Sequence, residues 1–160
     1  MGKSINLRNN YMNSKKHILM GIGNLLRGDD GIGSIIAQKF KDHNWLSLDC
    51  GVAPENFTSI IKKNRPNLLV LIDVVEMGLE PGQYRIIPPE KIDIMHLTTH
   101  SISLSFLISY LKNFSKEIIF IGIQPKLIDY STPISPEILK SADEIIRILK
   151  DKKLNTIKKL

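Results

Sequence analysis

Five residues of this 160-residue chain have the types and placement to do chemistry together: Asp29, Asp30, Asp49, Asp73 and His100. Asp29 and Asp30 stand in Gly21-Ile-Gly-Asn-Leu-Leu-Arg-Gly-Asp-Asp-Gly-Ile-Gly33, directly after the apolar run His17-Ile-Leu-Met20. A glycine-rich turn between a strand and a helix ordinarily binds phosphate, because helix N-terminal N–H groups attract anions. This turn lacks the third glycine of Gly-x-Gly-x-x-Gly and the Lys-Ser/Thr of a P-loop. Its adjacent carboxylates would repel a phosphate and attract a cation, which points to metal or proton chemistry. Asp49 follows the apolar stretch opened by Trp45, Asp73 follows five aliphatic residues, Leu68-Leu-Val-Leu-Ile72, and His100 ends Leu97-Thr-Thr-His100. Oxygen and nitrogen donors without thiolates suit a divalent first-row metal, nickel and zinc both being acceptable to imidazole.

Each residue also has a plainer role. Asp29 or Asp30 can cap the helix that opens near Gly31, worth about 1 kcal/mol. Capping is the role assigned to Asp29, since adjacent residues seldom point into one site. Asp49 and Asp73 can bond loop amides after their strands, as aspartates do in turns, and His100 can be a loop or cap residue. Their joint placement argues for a site. His17, His43 and His96 lack such a context and are read as structural or surface residues.

The elements that must position these groups alternate along the chain. Strands are predicted over 16–21, 45–49, 68–72, 83–87 and 117–123. Helices are predicted over 31–42, 54–64, 101–113 and 136–150; the second stops at Asn64 because Pro66 biases Arg65 away from helical angles. Ile138, Leu139, Ala142, Ile145, Ile146 and Leu149 make the apolar stripe of the last helix. Strand–helix alternation predicts a three-layer α/β/α sandwich with a mostly parallel, twisted sheet. Right-handed crossovers then place the functional crevice beyond the carboxyl ends of the strands, where the acids fall.

Composition narrows the field further. With 42% hydrophobic and 24% charged residues, one globular domain over 17–150 is expected, between a polar leader over 1–16 and a basic tail over 151–160. No apolar run approaches the roughly 20 residues that span a bilayer, and the leader has no apolar core of a secretory signal. A cytoplasmic protein with no membrane partner is the expectation. The single cysteine, Cys50, excludes an internal disulfide or a thiolate zinc cluster. Much of the +6 net charge sits in the two ends without interleaved aromatics, so the tails read as solvated and no nucleic-acid partner is expected.

The turn 21–33 resembles the signature of the nickel–iron hydrogenase maturation proteases. The similarity continues through Asp49-Cys-Gly-Val-Ala-Pro-Glu-Asn56, Leu71-Ile-Asp-Val-Val-Glu-Met-Gly-Leu-Glu-Pro-Gly82, Leu97-Thr-Thr-His-Ser101 and Phe120-Ile-Gly-Ile-Gln-Pro125. It covers nearly everything from His17 to Lys150, and the Ala-Pro-Glu-Asn, Thr-Thr-His and Gly-Ile-Gln-Pro segments look most like the branch that processes hydrogenase 3, the formate-hydrogenlyase enzyme.

The resemblance implies an endopeptidase that removes the C-terminal extension of a hydrogenase large-subunit precursor after nickel insertion. The family's three metal-contacting positions match Asp30, Asp73 and His100, which it implies as the catalytic set, and Asp49 matches an acid associated with substrate handling. The family often has Glu where this chain has Asp30, and Cys50 replaces a glycine commonly found there. Nickel is then supplied by the substrate, with no tightly bound cofactor of the protease's own and with zinc or cadmium as substitutes in vitro. Three protein ligands leave positions open, and a metal lowers the pKa of a bound water enough to make it a nucleophile. A monomer is expected. A non-proteolytic nickel chaperone using the same residues is the alternative; a nucleotide-binding regulator is weakened by the paired acids, and a spore-type protease of related fold by the hydrogenase-3-like segments.

Overall fold

A computed structural model describes residues 17–92 and 103–160. Five strands, β1 (His17–Ile22), β2 (Trp45–Gly51), β3 (Leu68–Val74), β4 (Tyr84–Ile86) and β5 (Glu117–Ile123), form one sheet in the order β2-β1-β3-β5-β4. All pairings are parallel except β4 against β5, which is antiparallel. The helices are α1 (Ile32–Lys39), α2 (Thr58–Asn64), the single turn α3 (Pro89–Ile92), α4 (Leu104–Leu111) and α5 (Pro136–Lys150).

Both faces of the sheet are covered. Ile32 and Ile36 of α1 share one core with Ile138, Ala142, Ile145 and Leu149 of α5. Ile61 of α2 and Leu104, Leu107, Ile108 and Leu111 of α4 lie in the other. Residues of β3 feed the two cores alternately, Val70 and Ile72 into the first, Leu69 and Leu71 into the second. That is why this strand reads as an unbroken aliphatic run. The result is the expected α/β/α sandwich.

The bounds of β5 and α5 agree with the sequence reading, and three helices differ from it. The first helix is shorter than 31–42. Residues Gly28–Gly31 form a separate 3-10 turn before it, and Phe40 turns extended to set its ring edge-on against Trp45 at 5.3 Å. Similarly, Pro54–Phe57 is a 3-10 turn leading into α2, which does end at Asn64, with Arg65 in a left-handed conformation before Pro66. Of the helix expected over 101–113, α4 covers Leu104–Leu111, residues 101–102 lying outside the described residues.

The chain end departs most from the sequence reading. Lys152, Lys153, Lys158 and Lys159 are exposed as a solvated tail would be. The backbone beneath them is nonetheless docked, with Ile86 N donating to the Lys158 carbonyl and Leu160 N to the Ile86 carbonyl. Ile157 is buried and Leu160 packs against the core. Two apolar residues between lysines suffice to pin the segment to the edge of β4, covering part of an edge that would otherwise expose unpaired groups.

The strand order locates a crevice. The connection leaving β1 passes over the α1 face to β2, whereas the connection leaving β3 reaches β5 by way of α4 on the other face. Adjacent strands whose outgoing chains part to opposite faces open a gap between their carboxyl ends. Here those strands are β1 and β3.

Candidate active site

Glycines bring the acid turn onto the sheet. A side chain on Gly21 would collide with the Gly33 carbonyl and Ala37, and one on Gly33 would strike the carbonyls of Ile22 and Ile72. Strand β1, the first turn of α1 and the end of β3 thus meet backbone to backbone, a closeness only glycine allows. A side chain on Gly23 would occupy the Asp30 carbonyl, which instead accepts from Asn24 N at 3.1 Å. Gly23 N in turn donates to the Gly51 carbonyl at 2.8 Å. The glycine spacing that imitates a phosphate loop serves close packing, and it fixes Asp30 at the mouth of the crevice.

The 3-10 turn carrying Asp30 lies against β3, the strand that bears Asp73 near its end. Both carboxylates are fully buried, and Asp73 Oδ1 accepts from Val74 N at 2.8 Å. Two carboxyls at one crevice supply oxygen donors of the kind a divalent cation takes. Among the described residues no set of three His, Cys, Asp or Glu side chains is arranged to hold a metal ion. His100, the third member of the set implied by the family resemblance, lies outside the described residues, as does His96.

Asp49 is placed differently. Register pairs it with Gly21, and Gly21 with Ile72, so Asp73 stands one residue further along. Successive strand residues point to opposite faces. Asp49 therefore shares a pleat with Trp45 and with Ser47, whose hydroxyl donates to the Ala37 carbonyl of α1. Asp73 shares the pleat of Leu69 and Leu71 on the α4 side. The acids expected to converge from three strand ends share an edge, but Asp49 faces the opposite side from Asp73.

Asp49 is exposed; Gln38 Nε2 donates to its Oδ2 at 2.8 Å and Gly51 N to its Oδ1 at 3.2 Å. Desolvation alone would push this carboxyl up, yet hydrogen bonds from Gln38, Ser34 and the Gly51 backbone outweigh it and hold the group below its ordinary value. Beside it, burial and the Asp49 charge push the Cys50 thiol far above the ordinary thiol range, so it is no nucleophile.

Asp29 is no helix cap: neither the 3-10 turn nor α1 has a side-chain cap. Its buried carboxylate instead accepts from Lys126 N and Leu127 N, both at 2.8 Å, from Ser135 N at 2.6 Å and from Ser135 Oγ at 3.0 Å. One charge, satisfied by four donors, staples the whole loop after β5 to the acid turn. A second staple stands in the segment 120–125, with no local signal in the sequence. The buried Gln124 accepts from Met77 N at 2.7 Å and Leu79 N at 3.3 Å through Oε1, and donates from Nε2 to Glu76 Oε1 at 2.6 Å. It holds the loop leaving Asp73 and positions an exposed carboxylate, Glu76, three residues on. An acid three residues past a strand-end acid was the available signal for Glu76. His17 packs on Trp45 at 5.0 Å and His43 is exposed, as read from sequence.

A cavity of about 440 Å³ lies at the other end of the sheet, among Leu68, Ile87, Ile92, Ile108, Ile118 and Phe120. Leu68 and Ile118 stand at the starts of β3 and β5, Ile87, Ile92 and Ile108 come from the segments packed beside them, and the lining offers no carboxylate pair. The candidate site is therefore taken at the acid crevice and not at this apolar cavity.

Comparison with known proteins bears on the family. The family model described as HycI, hydrogenase maturation protease, matches residues 32–152. The hydrogenase 3 maturation protease of Escherichia coli K12 is 38% identical over 136 residues, 82% of this chain and 87% of its own length. The solution structure of the endopeptidase HycI from Escherichia coli superposes with a TM-score of 0.83 at 35% identity, over 91% of this chain and 96% of that one. The [NiFe] hydrogenase maturation protease HycI from Thermococcus kodakarensis superposes with a TM-score of 0.76 at 29% identity, over 91% and 96%. On this family model and these identities and superpositions, the chain belongs to the hydrogenase maturation protease family, a family of peptidases.

Proposed function

We propose that this chain is the endopeptidase that removes the C-terminal extension of a hydrogenase large-subunit precursor once nickel has been inserted. The observation that supports the reading best is the pair of fully buried carboxylates, Asp30 on its turn and Asp73 on the strand beneath it, at the switch crevice. Their oxygens offer hard donors to the nickel carried by the precursor, and by family resemblance His100 adds an imidazole. Held there, the precursor's nickel fixes the register of its chain, so the peptide bond to be cut lies beside the acids. Hydrolysis adds water to the scissile carbonyl carbon, breaks the C–N bond and delivers a proton to the leaving amine. Asp49, on the other face of the same edge, contributes to substrate handling. Nickel is substrate here, so the protease needs no resident cofactor; the partner is a separate protein chain, encountered in the cytoplasm. Among the described residues no helix is long and apolar enough to cross a membrane.

The test is a processing assay with nickel-loaded and nickel-free precursor, read as intact mass. One defined cut confined to the nickel-loaded sample is expected. Cutting without nickel would retain the protease and remove nickel recognition from Asp30, Asp73 and His100. Absence of cutting, with nickel held tightly at those residues, would make the protein a chaperone.

A further inference from the structure

Beside the acid turn stands an apolar ridge that catalysis does not use. Leu25 and Leu26 in the turn before Gly28 are 50% and 70% exposed, and Leu127 and Tyr130 in the loop after β5 are 49% and 65% exposed. They belong to one surface, because the two segments are tied backbone to backbone. Ser131 N donates to the Leu26 carbonyl and Asp29 N to the Leu127 carbonyl, both at 3.1 Å. Leu25 lies against Gly31, the residue after Asp30, so closely that a side chain on Gly31 would meet its Cα. The Arg27 guanidinium sits 5.3 Å from the centre of the Tyr130 ring.

Loop segments of this length normally hide their large apolar residues or do without them. Here four are displayed, and the loops displaying them are stiffened. Gly28, at φ +59°, lets the second loop approach; a side chain there would strike Thr132 Oγ1 and the Leu127 carbonyl. The Asp29 staple described above then locks that loop by four hydrogen bonds. A displayed apolar patch on a pre-organised backbone is what a protein partner uses, since little ordering entropy is lost on binding. Large anchors such as Tyr carry much of such binding.

We propose that Leu25, Leu26, Leu127 and Tyr130 form the docking ridge for an apolar stretch of the large-subunit precursor flanking the peptide bond to be cut. The inference rests on the proposed function. The ridge names that occupant because it runs without a break into the turn holding Asp30. A chain whose scissile bond lies at Asp30 must cross one side of this turn, and this is its apolar side. A small ligand would leave most of the ridge wet, and a second copy seated on it would stand in the precursor's path.

The experiment compares the wild-type chain with the double variant Leu26→Ser/Tyr130→Ser, using the intact nickel-loaded precursor. Tyr110→Ser serves as a control at the end of α4, near the starts of β3 and β5. Processing by the wild type, scored first, reports on the proposed function by itself. The double variant, with unchanged circular dichroism, should bind precursor at least about tenfold more weakly, from loss of two buried apolar contacts. KM should rise correspondingly while kcat holds, and the control should bind normally. Equal binding by the double variant while the wild type still cuts would overturn the ridge and leave the proposed function standing. A loss of binding shared by the control would overturn it too, as would a variant that changes only self-association of the free protein. A wild type that binds through the ridge without cutting would remove the proposed function and keep the ridge.

Discussion

Asp49 and Asp73 lie near the ends of β2 and β3 at the same edge of the sheet, two inter-strand spacings and so about 10 Å apart. Their surroundings could hardly differ more. Asp73 is fully buried on the α4 side, against the crevice, with one oxygen held by its neighbour's amide. Asp49 is exposed on the α1 side, steadied by Gln38. One residue of register separates the two outcomes, since a single step along a strand exchanges the faces. The comparison teaches that an acid at a strand end is assigned its task by the parity of its register. An acid on the crevice side, shielded from water, acts strongly on a cation; one on the open side makes a weaker, screened contact.

The sharpest way to break this contrast is Asp73→Asn. The change keeps shape and the bond from Val74 N while removing the charge. Processing of nickel-loaded precursor should fall by about 10² to 10⁴-fold, with an unchanged circular dichroism spectrum. Retained cleavage would erase the distinction. Next comes Gly33→Ala, which forces a methyl group onto the carbonyls of Ile22 and Ile72. Unfolding in urea should show a loss of about 1–3 kcal/mol, and the displaced turn should slow cutting by misplacing Asp30. A variant of wild-type stability would mean that the backbone contact at the crevice is not tight.

Asp49→Asn should do less. It removes an exposed charge whose partners are a side-chain amide and one backbone N–H, so KM for the precursor should rise by no more than about tenfold, and Gln38→Leu should reproduce part of that change. A collapse of kcat in either variant would place Asp49 with Asp73 after all. The smallest effect concerns acid stability. Because the Asp49 carboxyl is held below its ordinary value of 3.8, its contribution is fully present above that value. It is lost as pH falls through the lower, folded-state value. Urea midpoints measured from about pH 6 down to about pH 3 should therefore decline slightly less for Asp49→Asn than for the wild type.

Legibility in the sequence followed the range of the interactions. Glu117–Ile123 and Pro136–Lys150 were readable residue for residue because each carries its own period, continuous for a strand covered on both faces and three-to-four for α5. The end of α2 was readable because Pro66 acts on its immediate neighbour. Asp29 reads as a cap from its neighbours alone because its actual partners, Lys126, Leu127 and Ser135, lie as far as 106 residues away. The docking of Ile157 and Leu160 was hidden for the same reason: their lysine neighbours dominate the local composition, while the edge of β4 that receives them is remote in sequence.

The sequence by itself determined the alternation of strands and helices, the glycine-bound turn that carries Asp30, and the gathering of Asp49 and Asp73 at the carboxyl edge. These follow from local periodicity, from turn chemistry and from the handedness of crossovers. Only the tertiary structure decided which acid faces the crevice, that Asp29 staples a loop instead of capping a helix, and that the ridge of Leu25, Leu26, Leu127 and Tyr130 is one surface. Those outcomes depend on strand register and on hydrogen bonds between distant segments, which come into being only when the chain has closed on itself.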